Sequence, residues 1–204
     1  MVSQRSVVER IRVVVSRLAF LGAVALALLS QSWWNLGEIT EETMFCGALI
    51  LTLIGCLGRI WCLAHISGRK NQDLIMVGPY SICRNPLYLF SFIGMLGVTL
   101  TTCTLAIPAL AIFCFAIYYP FVIAAEERRL EKIHGAAYRE YCQRVPQFIP
   151  SFRNYLATTH STIDVRLFNR GLQDVAWFVL ALALAHLNVE LHEAGYGITL
   201  FKLV

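Results

Sequence analysis

Two groups of polar side chains lie at the ends of apolar segments. Arg84, Asn85 and Tyr88 open one such segment, and Glu126 and Glu127 follow the next one. Because the two segments are consecutive, we expect them to form a hairpin that brings both groups to the same membrane face. A charge at a membrane boundary is costly unless it is matched. The pattern therefore predicts that Arg84 contacts Glu126 or Glu127, either as a structural ion pair or as part of a polar binding site.

The first group belongs to a stretch that restricts the backbone, GPYSICRNPLY over residues 78–88. Gly78-Pro79 interrupts any preceding helix, and Pro86 drives Asn85 towards an extended conformation. Proline is tolerated in the first turn of a helix because its missing N–H has no intrahelical partner there. The sequence predicts a rigid turn that holds Arg84 at the membrane boundary, then a helix that starts near Pro86 with Asn85 as its cap.

The composition identifies the class of protein. Of the 204 residues, 57% are hydrophobic and 15% are charged, and the mean hydropathy is +0.62. These values are too apolar for a soluble domain, and the net charge of +4 is modest. We predict a single domain over residues 1–204, an all-α integral membrane protein with about five transmembrane helices, a cytoplasmic pocket and a C-terminal helical segment.

Apolar runs of about 20 residues, the length that crosses a bilayer, locate the predicted helices. They cover residues 11–30, 44–65, 87–105, 106–125 and 172–189. The last run is short, so an interfacial or buried helix is an alternative for it. The first run follows several arginines, a pattern that is also typical of a cleavable signal peptide. The polar segment 126–171 begins with the periodicity of a helix over 126–141.

The distribution of charge predicts the orientation. Basic residues precede the first span and recur over 69–84 and 126–171, whereas residues 35–43 and 190–193 carry glutamate without lysine or arginine. By the positive-inside rule, we expect the N terminus and the polar groups that could form a site to be cytoplasmic.

The seven cysteines show no pattern of a metal or disulfide site. They stand at positions 46, 56, 62, 83, 103, 114 and 142, without a CxxC pair. An odd, irregularly spaced set argues against a disulfide framework or a zinc site. We interpret them as small hydrophobic residues and expect no metal ligands.

The polar groups lie in two motifs that resemble a known family. GPYSICRNPLY, followed after one hairpin by EERRLEKIHGAAYREYCQRVPQFIP, resembles the isoprenylcysteine carboxyl methyltransferases and the related phospholipid N-methyltransferases. The resemblance covers about residues 55–152, and the motifs agree in order, spacing and membrane context. It implies a small membrane enzyme that uses S-adenosylmethionine to methylate a lipophilic acceptor, an isoprenoid or prenyl carboxylate or a lipid amine.

The resemblance also implies roles for individual residues. Arg84 would lie near a carboxylate of cofactor or substrate, and Glu126 would bind the cofactor's amino group or ribose. Apart from the resemblance, an amine acceptor must lose a proton, and Glu127 is the nearby candidate base for that step. The implied cofactor pocket consists of His65, Gln72, Asp73, Leu74, Ile75, Tyr80, Asn85, Pro86, Leu87, Tyr88, Glu126, Tyr138 and Tyr141. The last two tyrosines, with the Val145-Pro146 turn, would close over it.

Two positions depart from the family pattern. Asn85 stands where the eukaryotic enzymes have histidine, and an amide cannot take up a proton near neutral pH. Val122 stands where the prenylcysteine enzymes have an arginine for the substrate carboxylate. These departures argue against a general base at position 85 and against a prenylcysteine substrate.

Two other functions fit the same architecture. One is a membrane reductase that uses NADPH on a lipid double bond, although no extra basic cluster for a 2′-phosphate is evident. The other is a non-catalytic membrane subunit. The expected partners are the bilayer and a lipophilic small molecule or lipid, and not nucleic acid; the sequence does not indicate an oligomeric state.

Overall fold

The computed structural model describes residues 30–32, 38–69, 73–196 and 201–203. Within these residues the regular secondary structure is helical apart from two strands of three residues, which pair in parallel with Ser30 opposite Phe201. The elements in order are β1 Ser30–Ser32, α1 Glu38–Ile66, α2 Pro79–Ile82, α3 Pro86–Leu100, α4 Ala106–His134, α5 Ala136–Arg144, a 3₁₀ turn Phe152–Asn154, α6 Val165–Glu193 and β2 Phe201–Leu203. The predicted all-α class is confirmed.

Three helices among the described residues are long and apolar enough to cross a bilayer. They are Ile39–Ile66, Ala106–His134 and Val165–His192. Helix α3 is apolar but has only 15 residues, which corresponds to about 22 Å. The predicted number of five spans is not confirmed, because residues 11–29 of the first one lie outside the described residues and α3 is short.

Several helix ends differ from the bounds of the predicted spans, and local chemistry explains them. Helix α6 begins at Val165 rather than at 172, because the Asp164 carboxylate accepts the Leu167 N–H at 3.0 Å and caps the helix. The predicted helix 126–141 is interrupted at Gly135, whose φ of 54° suits a residue without a side chain. Helix α1 also begins before residue 44, at Glu38.

Helix α3 ends at Leu100 rather than at 105, in a turn whose polar groups bond to one another. The Thr102 hydroxyl donates to the Thr99 carbonyl at 2.7 Å and lies 3.0 Å from the Thr104 hydroxyl. Thr101, Thr102 and Thr104 are all buried. The turn between α3 and α4 therefore satisfies its own backbone inside the protein, a condition for non-helical backbone at membrane depth.

Helices α1 and α3 pack with their backbones in close contact. A side-chain carbon built on Gly55 of α1 would lie 2.5 Å from the Cα of Gly94 on α3. One built on Gly97 would lie 2.6 Å from the Ala48 carbonyl oxygen. Small residues permit this approach between membrane helices, so α3 and the polar residues at its start are held in a fixed register on α1.

The other two long helices both pack on this pair: α6 against α1 and α4 against α3. Helix α6 joins α1 through Val175, which clusters with Cys56 and Leu63. Helix α4 joins α3 through aromatic rings, with Phe92 and Phe115 centroids 4.3 Å apart. The predicted hairpin of α3 and α4 is therefore present, and it brings the C-terminal part of α4 beside the start of α3.

Candidate functional site

A cavity lies where the start of α3 meets the C-terminal part of α4. The residues around it surround about 650 Å³ of space not filled by protein atoms, part of which is open solvent. Its lining consists of Ile66, Asp73, Leu74, Ile75, Tyr80, Arg84, Asn85, Pro86, Leu87, Tyr88, Glu126, Leu130 and Tyr141. Both predicted polar groups thus contribute to one cavity.

Glu127 connects the two motifs on one side of this cavity. Its carboxylate lies 3.4 Å from Arg84 Nε and accepts hydrogen bonds from Asn85 Nδ2 at 3.1 Å and Gln147 Nε2 at 3.0 Å. Asn85 also donates to the Gln147 carbonyl at 3.2 Å. Burial has the largest single effect and would lower the pKa of Arg84, but Glu127, Cys142 and Tyr138 together outweigh it, so the pKa is raised. The guanidinium therefore stays charged at the cavity wall.

Asn85 occupies the N-cap position of helix α3, as the sequence predicted, but its side chain makes no capping hydrogen bond there. Its amide instead bridges to Glu127 and to the Gln147 backbone. The departure from histidine at this position therefore has a structural use, since a single amide nitrogen supplies both hydrogen bonds.

Glu126 lies on the cavity side of the same helix. Its Oε2 accepts a hydrogen bond from the Tyr88 hydroxyl at 3.3 Å. The Tyr88 ring in turn packs edge-on against Tyr119 of α4, with centroids 5.5 Å apart. A carboxylate is thereby fixed in the lining together with the positive charge of Arg84.

Two buried tyrosines form another part of the lining. The Tyr141 hydroxyl donates to the Tyr80 carbonyl at 2.6 Å, which fixes α5 against the first motif. The Tyr80 hydroxyl is buried and has no hydrogen-bond partner among the described residues. Burial raises the pKa of both tyrosines, and neighbouring groups including Glu126 raise that of Tyr80 further. Both hydroxyls therefore remain neutral, and the Tyr80 hydroxyl, which has no partner among the described residues, can donate to a ligand.

Comparison with known proteins identifies the family. The profile described as phospholipid methyltransferase matches residues 44–137. The chain is 36% identical over 187 residues, 91% of this chain and 85% of the relative, to the cobalt-zinc-cadmium resistance protein CzcN of Cupriavidus metallidurans. The chain belongs to the phospholipid methyltransferase family.

Further relatives connect this family to both of the predicted groups of enzymes and to resistance proteins. The nickel-cobalt-cadmium resistance protein NccN of Alcaligenes xylosoxydans xylosoxydans is 33% identical over 95% of this chain and 87% of that protein. The protein-S-isoprenylcysteine O-methyltransferase B of Arabidopsis thaliana is 31% identical over 60% of this chain and 62% of that protein. No solved structure matches the chain. The predicted resemblance is therefore confirmed.

Several of the residues that we predicted for the site do not line the cavity. The His65 ring lies behind Gly78, and its Nδ1 is 2.9 Å from the Trp61 carbonyl. Tyr138 is buried in a cluster with Tyr141 and Val145 instead. Glu127 lies beyond the lining, in the contacts described above. Gln72 lies outside the described residues.

Other residues contribute without having been predicted. Leu130 stands one helical turn after Glu126, and Ile66 ends α1; both add apolar lining. The periodicity of α4 was a usable signal for Leu130. Gln147 lies beyond the part that the family profile matches, and nothing in its sequence neighbourhood indicated its bond to Glu127.

The segment after α5, residues 145–156, is tied to the first motif by its backbone. We call it the strap. The Arg84 N–H donates to the Pro146 carbonyl at 2.9 Å, and the Gly78 N–H donates to the Leu156 carbonyl at 2.8 Å. Between them, the Ser151 N–H donates to the Ile82 carbonyl at 2.9 Å. The strap therefore runs along 78–84 and fixes this wall of the cavity.

Proposed function

We propose that this protein transfers a methyl group from S-adenosylmethionine to a lipophilic acceptor at the membrane face where the cavity opens. The observation that carries the proposal is that Arg84 and Glu126, from two motifs separated by a helical hairpin, line the same cavity. Family membership supports membrane methyl transfer in general. Our proposal adds to this the identity of the methyl donor and the lipophilic nature of the acceptor.

The lining suits the chemical groups of this cofactor. Glu126 offers a carboxylate to an ammonium group or ribose hydroxyls, and Arg84 offers a guanidinium to a carboxylate. Tyrosine faces attract a cation such as a sulfonium. The buried Tyr80 hydroxyl, which lacks a partner among the described residues, would find an acceptor in a bound polar ligand.

When bound, S-adenosylmethionine supplies an electrophilic methyl group on a sulfonium. The protein's own task is to hold donor and acceptor in line and to exclude water. Leu74, Ile75, Leu87 and Leu130 supply the apolar surface for this. An acceptor that must lose a proton would find Glu126 as the carboxylate in the cavity, since Glu127 is engaged by Asn85 and Gln147.

The names of the relatives add a physiological setting, metal resistance. We propose that this protein acts there by methyl transfer rather than by binding metal. Among the described residues there is no group of three or more His, Cys, Asp or Glu side chains that could hold a metal ion. If so, a strain lacking the protein should recover cobalt, zinc and cadmium tolerance with the wild-type gene and not with a Glu126→Gln gene.

The distribution of lysine and arginine further supports a cytoplasmic position for the cavity. The basic segments 69–84 and 126–171 of the sequence both supply lining residues, Arg84 and Glu126 among them. This orientation also gives the cavity access to a water-soluble cofactor made in the cytoplasm.

The deciding experiment uses membranes that contain the full chain, incubated with S-adenosylmethionine carrying a labelled methyl group. We expect label in the lipid extract from wild type and from the control Glu131→Gln, which removes an exposed carboxylate of the same helix. Glu126→Gln should lose the label while inserting normally into the membrane. Equal labelling by Glu126→Gln would exclude the proposed role of the cavity, and NADPH oxidation without labelling would favour the reductase.

A further inference from the structure

Arg59 is a charged side chain inside α1, one of the helices that can cross the membrane. Its Nη1 donates to the Ser91 hydroxyl of α3. Its Nη2 lies 3.9 Å from the Asp174 carboxylate of α6, and its guanidinium carbon lies 5.5 Å from the ring centre of Phe178. An ionisable residue at such a position usually serves binding or transport rather than packing.

The contacts of Arg59 leave much of its hydrogen-bonding capacity unused. A guanidinium carries five N–H donors, but Nε is buried and has no hydrogen-bond partner in the part of the chain that the structure describes. The 3.9 Å separation from Asp174 exceeds hydrogen-bond distance. Unmatched charged donors are costly away from water, so the arrangement calls for another acceptor.

Asp174 is a weakly held partner of Arg59 that another anion could replace. Its side chain is 71% exposed, and an exposed ion pair contributes little. Asp174 is also the last charged residue before the apolar run 175–185 of α6, and the exposed Trp177 follows it. Tryptophan is typical of the membrane interface. By this pattern of α6 we expect Arg59 at the depth where lipid head groups meet the hydrocarbon, with Asp174 on the side from which they approach.

This position is offset from the cavity along α1 and α3. Arg59 and Ile66 are seven residues apart on one face of α1, and Ser91 is one turn after Leu87 on α3. Ile66 and Leu87 both line the cavity. At about 1.5 Å per residue, Arg59 lies roughly 6–10 Å from that wall along the helices.

We propose that Arg59 binds the oxyanion of an acidic lipid head group, a phosphate or a carboxylate, in the place where Asp174 now faces it. The lipid would enter between α1 and α6, with its head group at Arg59 and its chains in the bilayer. The site is defined by lipid binding, so it does not depend on the methyl transfer proposed above.

The test measures lipids retained by the purified full chain in neutral detergent, by native mass spectrometry. The probes are phosphatidylglycerol, oleate and an uncharged diacylglycerol with the same chains as the phosphatidylglycerol. We expect wild type to retain one or both anionic lipids over diacylglycerol. Arg59→Gln should weaken that retention about ten-fold or more, the equivalent of one hydrogen bond to a charged group.

Two variants separate a lipid site from an internal ion pair. Asp174→Asn removes the competing carboxylate but keeps Arg59, so it should strengthen retention of the anionic lipid. Arg139→Gln removes an exposed arginine, paired with Glu131 at 3.4 Å, and should leave retention unchanged. Asp174→Asn also provides the test if Arg59→Gln fails to fold.

The outcomes are distinct. Preference for phosphatidylglycerol assigns the site to phosphate, and preference for oleate assigns it to carboxylate. Equal retention of all three lipids, unchanged retention in Arg59→Gln, or loss of retention in Asp174→Asn would overturn the proposal. Glu126→Gln should retain lipid like wild type, so failure of methyl transfer and failure of this site are distinguishable.

Discussion

Replacing Glu127 by glutamine is expected to weaken the fold, whereas the same replacement at Glu126 is expected to leave the fold intact and remove activity. The two residues are adjacent on α4, but their contacts differ. Glu127 faces Arg84 at 3.4 Å and accepts hydrogen bonds from Asn85 and Gln147 at 3.1 and 3.0 Å. Glutamine would keep one acceptor oxygen there but would present an amide NH₂ to groups that are themselves donors.

The magnitude follows from the burial of this cluster. A hydrogen bond to a charged group contributes about 1.5–3 kcal/mol, and breaking a buried ion pair costs about 3–5 kcal/mol. The Arg84 and Glu127 side chains are 15% and 18% exposed, so water screens part of the attraction and one hydrogen bond survives. We therefore expect a loss of about 2–4 kcal/mol in the free energy of unfolding. For a chain of this length, that is a fall of roughly 5–12 °C in Tm.

The assay is thermal unfolding of the purified protein in detergent, followed by circular dichroism and by loss of the monodisperse peak. Glu126→Gln keeps an amide oxygen that can still accept from the Tyr88 hydroxyl, so its stability should stay within about 1 kcal/mol of wild type. Glu131→Gln serves as the control for removing a negative charge from α4. If Glu127→Gln melted with wild type while Glu126→Gln melted far below it, the assignment of the two carboxylates would be reversed.

Three further predictions test other parts of the fold. Gly55→Ala should lower the free energy of unfolding by more than about 2 kcal/mol, because the added methyl group would meet the backbone of α3. Gly47→Ala is the control: a side chain there would have nothing within 4 Å, so the same melting assay should show a gain of up to about 1 kcal/mol. Tyr141→Phe should cost about 1–3 kcal/mol by leaving the Tyr80 carbonyl unbonded, and should raise KM for the cofactor more than it lowers kcat. Burial raises the pKa of the Cys83 thiol to about 11, so its contribution to stability should be complete below the ordinary thiol pKa and be lost as the pH rises through 11. Alkylation of Cys83 at pH 8, measured by mass spectrometry, should be far slower in the folded than in the denatured protein.

The parts of the site that the sequence predicted are those with local signals. Pro86 marked the start of α3, and two consecutive apolar runs implied the hairpin that joins Arg84 to the glutamates of α4. These features need only the backbone restriction of proline and the cost of an unmatched charge in a membrane.

The parts that were missed depend on contacts between distant backbone groups. The strap bonds to residues 78–84 through N–H and carbonyl groups, which every residue type carries, so no side-chain pattern records it. Gly135 was visible as a glycine, but a helical period on both sides concealed the break that its φ of 54° produces. His65 was assigned to the site with the residues that the resemblance implies, whereas its ring packs behind Gly78.

The buried threonine turn after α3 has a consequence for the surrounding bilayer. Helix α3 covers about 22 Å from its start at the cavity, whereas the hydrocarbon layer is about 30 Å thick. The hairpin tip would thus end several ångströms short of the opposite surface. Such hydrophobic mismatch is relieved by local thinning of the membrane, and lipids beside α3 would then be compressed. The protein should therefore favour thin bilayers, and its activity in vesicles should fall as the acyl chains are lengthened.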